Sequence, residues 1–587
     1  MKSFTSLLLF IMFFGSAAVN ADPEITASEI EAHIKYLASD ELAGRKPGTP
    51  GGLAAAEYIR GQFLKLGMTP FADNFFHHFR LVSKVEPGRN NKFQFGDKSF
   101  VLNEDYIPMS FSAPGSAKGE VVFAGYGLDM SNDSLSWNDY ADIDAGGKWV
   151  MILRGDPDNN APVSRFSDFS QDRLKIIESQ DRKAAGVLLV SPPAFNEKDK
   201  LIPMFYDKVS DGSLIPVINI TRALADEILA GSNTTIENLI DSTAKLDKPI
   251  SVATNSVVNA QADVVKTKVD AQNVAGIIVG SDPLLKDEFI LIGGHYDHIG
   301  MGGLGSGSRT PDTSAVHNGA DDNASGIAGI LEIAELIANE KPKRSLVVVA
   351  FDAEEMGVLG SAQFVKDSVL DIAKVKAMIN LDMIGRLDKT SKSIMVGGSG
   401  TSPISEQICD SYKNGLVLKF SKEGLGPSDH ASFYSSDVPV FFLSTGAHED
   451  YHTPEDDIDK INFDGTVKVV QFVSDVALDL LNRNESLAFT EAGPKVRDSS
   501  RKLKIALGIM PDFTSKGNNG LGIAAVTQGR PAEAAGMLKG DVITAINGMS
   551  VKNIYEYMAR LKKLKPGQQI TVDILRDGKK IELIVDL

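Results

Sequence analysis

The chain has 587 residues, more than one ordinary domain holds, and its 43% hydrophobic and 23% charged residues are those of a core-forming globular protein. A net charge of −17 leaves no basic stripe to neutralise phosphates, which argues against a nucleic-acid partner; the acidity itself serves solubility. Beyond the N-terminus no run approaches the ~18 apolar residues that a membrane-spanning helix needs.

Residues 1–21 read as a secretory signal: Lys2, an apolar run from Leu7 to Phe14, and the small-residue site Val19-Asn-Ala21. Export to the periplasm or the medium is therefore expected. No cysteine lies near the cleavage site to carry a lipid, and Cys409, the only cysteine, excludes an intramolecular disulfide. Apolar residues from Ala27 to Ala38 recur at helical spacing, with Thr26 or Ser28 as cap. The turn-rich stretch 44–52 follows, and then a second amphipathic helix from Leu53 to Leu66. His33, His77 and His78 read as ordinary histidines.

From about Pro114 to Ile250 the pattern changes to short β-like runs separated by Gly, Pro and Asp turns, with two helices among them. No histidine occurs between His78 and His295, so this part reads as a non-catalytic module.

The chemistry-bearing residues lie further on, in clusters that adjoin buried strands. Phe289-Ile-Leu-Ile precedes Gly-Gly-His295-Tyr-Asp297-His298, and Leu346-Val-Val-Val-Ala-Phe precedes Asp352-Ala-Glu354-Glu355. Val375-Lys-Ala-Met-Ile precedes Asn380-Leu-Asp382, and Val438-Pro-Val-Phe-Phe-Leu precedes Tyr451-His452-Thr-Pro. In an open α/β sheet, side chains at the carboxyl ends of strands share one crevice. Gly-Ala-Asp321-Asp322 opens a helix expected from Asn323 to Ala338. Either acid can cap that helix while the other faces the crevice. Adjacent Glu354 and Glu355 point in divergent directions, so one can hold a metal while the other serves a water as general base. His295, Asp322, Glu355, Asp382 and His452 supply enough ligands for two ions with a bridging carboxylate, and the absence of thiolates suits zinc or cobalt.

These motifs, with Ala-Glu-Glu-Met-Gly-Val-Leu-Gly-Ser, Ser428-Asp429-His430 and the early Leu-Ala-Ser-Asp-Glu-Leu-Ala-Gly-Arg, resemble the M28 family of co-catalytic zinc aminopeptidases. The resemblance implies an α/β fold, a mixed zinc-exopeptidase sheet sandwiched by helices, spanning 22–113 and 262–485. It implies two zinc ions per chain, replaceable by cobalt. Asp322 would bridge them, His295 and Asp382 would complete one site, and Glu355 and His452 the other, with Asp321 the alternative to Asp322. Glu354 would be the base that activates the bridging water, and Asp297 would orient His295. His298, His317, His430 and His448 are left outside the ligand set. Where some relatives carry a Tyr before Ser-Asp-His, this chain has Glu423-Gly-Leu-Gly-Pro, so Tyr434 or Tyr451 would have to serve the oxyanion.

Residues 114–261 resemble a mostly-β protease-associated domain through Val121-Val-Phe-Ala-Gly-Tyr-Gly, Gly147-Lys-Trp-Val-Met-Ile-Leu-Arg-Gly and Arg182-Lys-Ala-Ala-Gly-Val-Leu-Leu-Val. After a linker at 486–502, residues 503–587 resemble a β-rich PDZ domain through Ala506-Leu-Gly-Ile and Gly540-Asp-Val-Ile-Thr-Ala-Ile-Asn-Gly. Its expected partners are peptide or protein C-termini at an open sheet edge. The alternatives are a carboxypeptidase or glutaminyl cyclase on the same scaffold, or a metal-free receptor-like homologue. Intact ligand positions disfavour the last. A carboxypeptidase needs a cationic grip for a free carboxylate, for which the motif segments offer only Arg386.

Overall fold

The computed structural model describes residues 24–587 except 72, 132–134, 159–163, 208–211, 494, 496–504, 512–519 and 528. The expected signal segment therefore lies outside the described residues, as do residues 494 and 496–502 of the linker.

Four central strands, Ser345–Phe351, Phe289–His295, Val375–Leu381 and Val440–Ser444, run parallel in that spatial order within a nine-stranded mixed sheet. Ser345–Phe351 is buried at every position, as its unbroken Leu346-Val-Val-Val-Ala-Phe run requires of a parallel strand covered on both faces. Val264–Ile278 flanks this core antiparallel to Ser345–Phe351 and carries the long partner strand Phe76–Pro87. Four helices cover one face: Ala27–Leu37, Pro50–Lys65, Gly326–Asn339 and Phe463–Asn482. Leu359–Lys366 and His430–Tyr434 cover the other through Phe364, Phe433 and Tyr434. Thr26 caps the first helix by accepting from Glu29 N, and Thr49 caps the second, which starts at Pro50, three residues ahead of the expected Leu53. The helix expected from Asn323 begins at Gly326, because Ala320–Ser325 forms a separate wide turn in which Asp322 and Asn323 leave helical geometry.

A second, eight-stranded sheet forms the insert. Its strands run in the order Lys98–Ser99, Lys92–Phe95, Ser251–Ala262, Gly115–Ala124, Trp149–Leu153, Gly186–Val190, Val217–Ile220 and Tyr106–Pro108. This sheet also takes up Lys92–Phe95, Lys98–Ser99 and Tyr106–Pro108, which precede the expected start at 114. Tyr106–Pro108 pairs with Val217–Ile220, a partner more than a hundred residues away that no local pattern announces. Asp139 is buried and accepts from Tyr126 N, Leu128 N and Trp137 Nε1, tying the Tyr-Gly-Leu turn to the strand that follows.

The C-terminal sheet runs Ile509–Pro511, Leu521–Val526, Val542–Ile546, Gln569–Arg576, Lys579–Asp586, closed by helix Ile554–Lys562. That helix docks on the insert helix Asp172–Asp181. Arg560 grips Asp181 at 2.5 and 2.9 Å, Lys563 meets Glu178 at 2.8 Å, and Gln180 donates to Glu556 at 3.0 Å. Leu174, Ile177 and Ala559 close an apolar patch between them.

Candidate active site

The carboxyl ends of the four parallel strands open on one crevice. His295 ends its strand, and its Nε2 faces Asp322 Oδ1 at 3.2 Å, Asp382 Oδ1 at 3.7 Å and Glu354 Oε2 at 4.0 Å. His452 Nε2 faces Asp322 Oδ2 and Glu355 Oε2, each at 3.1 Å. One carboxylate, Asp322, thus presents its two oxygens to two different imidazoles. Ligand atoms of His295, Asp322 and Asp382 lie within 4.8 Å of one another, and so do those of His298, Asp322 and Glu355.

The surrounding chain explains how these side chains are held. Asp456 accepts from the amides of both Asp321 and Asp322, at 3.0–3.2 Å, and is itself met by Arg386. Asp321 turns away: its Oδ1 accepts from Gly385 N and Ser325 Oγ, and its Oδ2 faces His448. Of the acidic pair, only Asp322 meets His295 and His452. Asp297 accepts from Glu354 N at 3.0 Å and Glu355 N at 3.3 Å, so its carboxylate fixes the backbone that aims both glutamates. His295 Nδ1 lies closer to the Asp297 carbonyl, at 3.1 Å, than to its carboxylate, at 3.7 Å. The orienting contact to His295 is thus made chiefly by the Asp297 backbone. His452 Nδ1 lies 3.0 Å from Gly307 O, and Arg309 N donates to the His452 carbonyl, so the loop between 299 and 318 clamps this residue.

His298 sits further inside than the sequence suggested: its Nδ1 lies 2.8 Å from Glu355 Oε1. Spacing alone gave no signal for this, because it depends on how the chain turns after His295. Asp456 and Arg386 were likewise missed as supports of Asp322. His317 meets Ser308 Oγ at 2.9 Å, His430 stacks on Phe442, and His77 bonds Asn273 and meets Asp367. Tyr434 is engaged elsewhere, donating to Gly493 O and accepting from Ala492 N. Tyr451 stacks on the His452 ring at 3.9 Å.

Electrostatics here are dominated by crowded acids in a buried place. Burial raises the Glu354 carboxyl well above the usual range, and Glu355, Asp429 and Asp382 add to it. Asp429 is pushed up to about 7, chiefly by burial. For Glu355, burial and Asp322 work upward, but His298 and His452 outweigh them and hold it at about 2. Burial would lower His452, yet Asp322 and Glu355 carry it to about 11. Acids at this density, with His298 Nε2 buried and without a hydrogen-bond partner among the described residues, fit a pocket built around divalent cations. The donors, two imidazoles and three carboxylates without sulfur, suit zinc.

A crevice with this set of imidazoles and carboxylates fits a metal-dependent hydrolase. Residues 273–477 match peptidase family M28 and residues 505–587 match the PDZ domain, so the chain carries an M28 peptidase domain followed by a PDZ domain. It is 24% identical over 361 residues to "Aminopeptidase YwaD" of Bacillus subtilis (strain 168), covering 60% of this chain and 66% of that one. It is 40% identical over 121 residues to a "Probable zinc metalloprotease" of Pyrenophora teres f. teres (strain 0-1), covering 20% of this chain and 23% of the other. Among solved structures it resembles BSAP, a zinc aminopeptidase from Bacillus subtilis, with a TM-score of 0.47 at 19% identity, covering 79% and 98% of the two chains.

Proposed function

We propose that this protein is an exported dizinc aminopeptidase that removes N-terminal residues from peptides. The observation that carries the reading is the split of Asp322, one oxygen toward His295 and the other toward His452. Asp322 would bridge two ions, with His295 and Asp382 on one and Glu355 and His452 on the other. Zinc in these positions supplies Lewis acidity to the scissile carbonyl and to the attacking water.

The chain's own groups do the rest. Glu354, whose carboxyl has an affinity for protons well above that of an ordinary glutamate, accepts the proton of the attacking water and delivers it to the departing amine. Asp297 keeps Glu354 aimed through its amide. Tyr451, beside His452, is the better placed of the two tyrosines to donate to the developing oxyanion, because Tyr434 already spends its hydroxyl on Gly493 and Ala492. Arg386 is paired with Asp450 and Asp456 and offers no grip for a substrate carboxylate, which favours an aminopeptidase over a carboxypeptidase. Residues 92–262 serve as a protease-associated domain. The PDZ domain receives peptide C-termini along the Ile509–Pro511 edge, where Gly508 at φ +83° turns the backbone. Export rests on residues 1–21; among the described residues no helix is long and apolar enough to cross a membrane.

The deciding experiment pairs aminoacyl reporters with N-blocked peptides, before and after dialysis against a chelator. Turnover of free N-termini only, lost with the metal and restored by zinc at two per chain, is expected. Turnover that survives complete metal removal would sink the reading.

A further inference from the structure

The insert reaches the catalytic crevice through one segment, residues 201–207, which has no regular secondary structure. Phe205 lies against Gly305: a Cβ built on that glycine would stand 2.5 Å from Phe205 Cδ2 and 3.0 Å from Phe205 Cβ. Gly305 belongs to the loop whose Gly307 carbonyl bonds His452, two residues on. The next residue, Tyr206, packs against the apolar cluster of Phe79, Leu81, Ala271, Ala353 and Met356, the last two of which flank Glu354 and Glu355. Of two consecutive aromatics in the insert, one thus lies against the loop that clamps His452 and the other against the apolar cluster that includes both neighbours of the glutamate pair. The same loop exposes two apolar side chains near Gly305, Met301 at 46% and Leu304 at 52%.

The segment is fastened from behind. Asp207 pairs with Arg173 of the insert helix Asp172–Asp181. The Arg173 guanidinium lies 4.1 Å from the ring centre of Phe111 and 4.6 Å from that of Tyr555, which belongs to the PDZ helix. A guanidinium between two rings keeps its charge for the carboxylate while both faces are packed.

We infer that Phe205 and Tyr206 form an aromatic wall of the peptide-binding crevice, contributed by the insert, which packs on an apolar side chain of the substrate. Arg173 is a positioning residue that holds this wall through Asp207. The inference rests on the peptidase reading above and adds a selectivity element that the zinc-site residues do not contain. Apolar contact of this size discriminates side chains by roughly 10–200-fold.

The test uses the full zinc-loaded chain and tripeptides carrying either Leu or Ala at each position in turn. The wild-type preference for Leu, expressed as a ratio of kcat/KM values, should fall about tenfold at one position in both Phe205→Ala and Tyr206→Ala, with the change mainly in KM. Arg173→Ala should lower the same ratio at the same position, and Arg173→Lys should recover part of it. Zinc content and tryptophan fluorescence verify that the site and the insert remain intact. Unchanged ratios would overturn the inference. So would an equal loss on every peptide accompanied by loss of zinc, which would make Phe205 only a prop for the loop that clamps His452. A wild type that cleaves none of the peptides would instead sink the peptidase reading, and this inference with it.

Discussion

Adjacent Glu354 and Glu355 show how one backbone assigns two tasks. Glu355 points to His298 and His452, whereas the nearest imidazole nitrogen to Glu354 is 4.0 Å away on His295. Glu354→Gln should therefore retain zinc and lose ~10²–10⁴-fold in kcat, while Asp322→Ala should lose zinc itself. Elemental analysis beside turnover separates the two; an empty site in Glu354→Gln with a full one in Glu355→Gln would reverse the roles. Tyr451→Phe removes a hydroxyl beside His452, and as an oxyanion donor it should cost ~10²–10³-fold in kcat with little change in KM. Tyr434→Phe serves as the comparison, because its hydroxyl is committed to residues 492 and 493. An equal kcat loss in both would remove Tyr451 from the reaction. The clusters stood out in the sequence because buried runs such as Phe289–His295 and Val375–Leu381 end at or next to a histidine or an acid. The positions of His298 and Asp456 were not, since both depend on loops folding back across the sheet.

Among the elements, the insert helix Asp172–Asp181 carries the most unusual charge. Lys175 is buried, and its amine donates to the carbonyls of Leu153 and Gly155. Burial lowers its pKa from 10.5 to about 8, against the opposing pull of Asp172. Between those two values the unfolded chain binds a proton that the folded chain does not, so this group makes stability rise with pH through that window. Fully expressed, the gain is about 3 kcal/mol, at ~1.36 kcal/mol per pKa unit. Lys175→Met should flatten that rise. The chain's two tryptophans, Trp137 and Trp149, both lie in the insert, so their fluorescence reports its melting directly. Melting curves at pH 7.5 and 10 for both proteins check the point; parallel shifts would show that Lys175 does not titrate in this range. The sequence revealed the insert's texture but not that its sheet draws in Lys92–Phe95, nor that Phe205 lies against Gly305. Phe205 and Gly305 are a hundred residues apart, and hydrophobic periodicity carries no information at that separation.

At the scale of the molecule, the PDZ helix, the insert and the crevice form one connected path. Tyr555 packs on Arg173, Arg173 holds Asp207, and the two residues before Asp207 touch the catalytic loops. The PDZ domain is thereby tied to this path, because undocking it takes Tyr555 away from Arg173. Arg560 is the residue to change: it is buried, grips Asp181 with two nitrogens and lies outside the peptide-binding edge at Ile509–Pro511. Arg560→Glu places two acids face to face and removes both hydrogen bonds to Asp181, which should release the dock. Released, the variant should have a larger radius of gyration in solution scattering. It should also lose part of the Leu preference that Arg173→Ala loses, since Phe111 and Asp207 still hold Arg173. Long peptides with a free carboxyl end should lose more in KM than tripeptides, because a PDZ domain on a loose tether holds its end at a lower effective concentration. Expansion without any change in either ratio would mean that docking organises the molecule but does not reach the crevice.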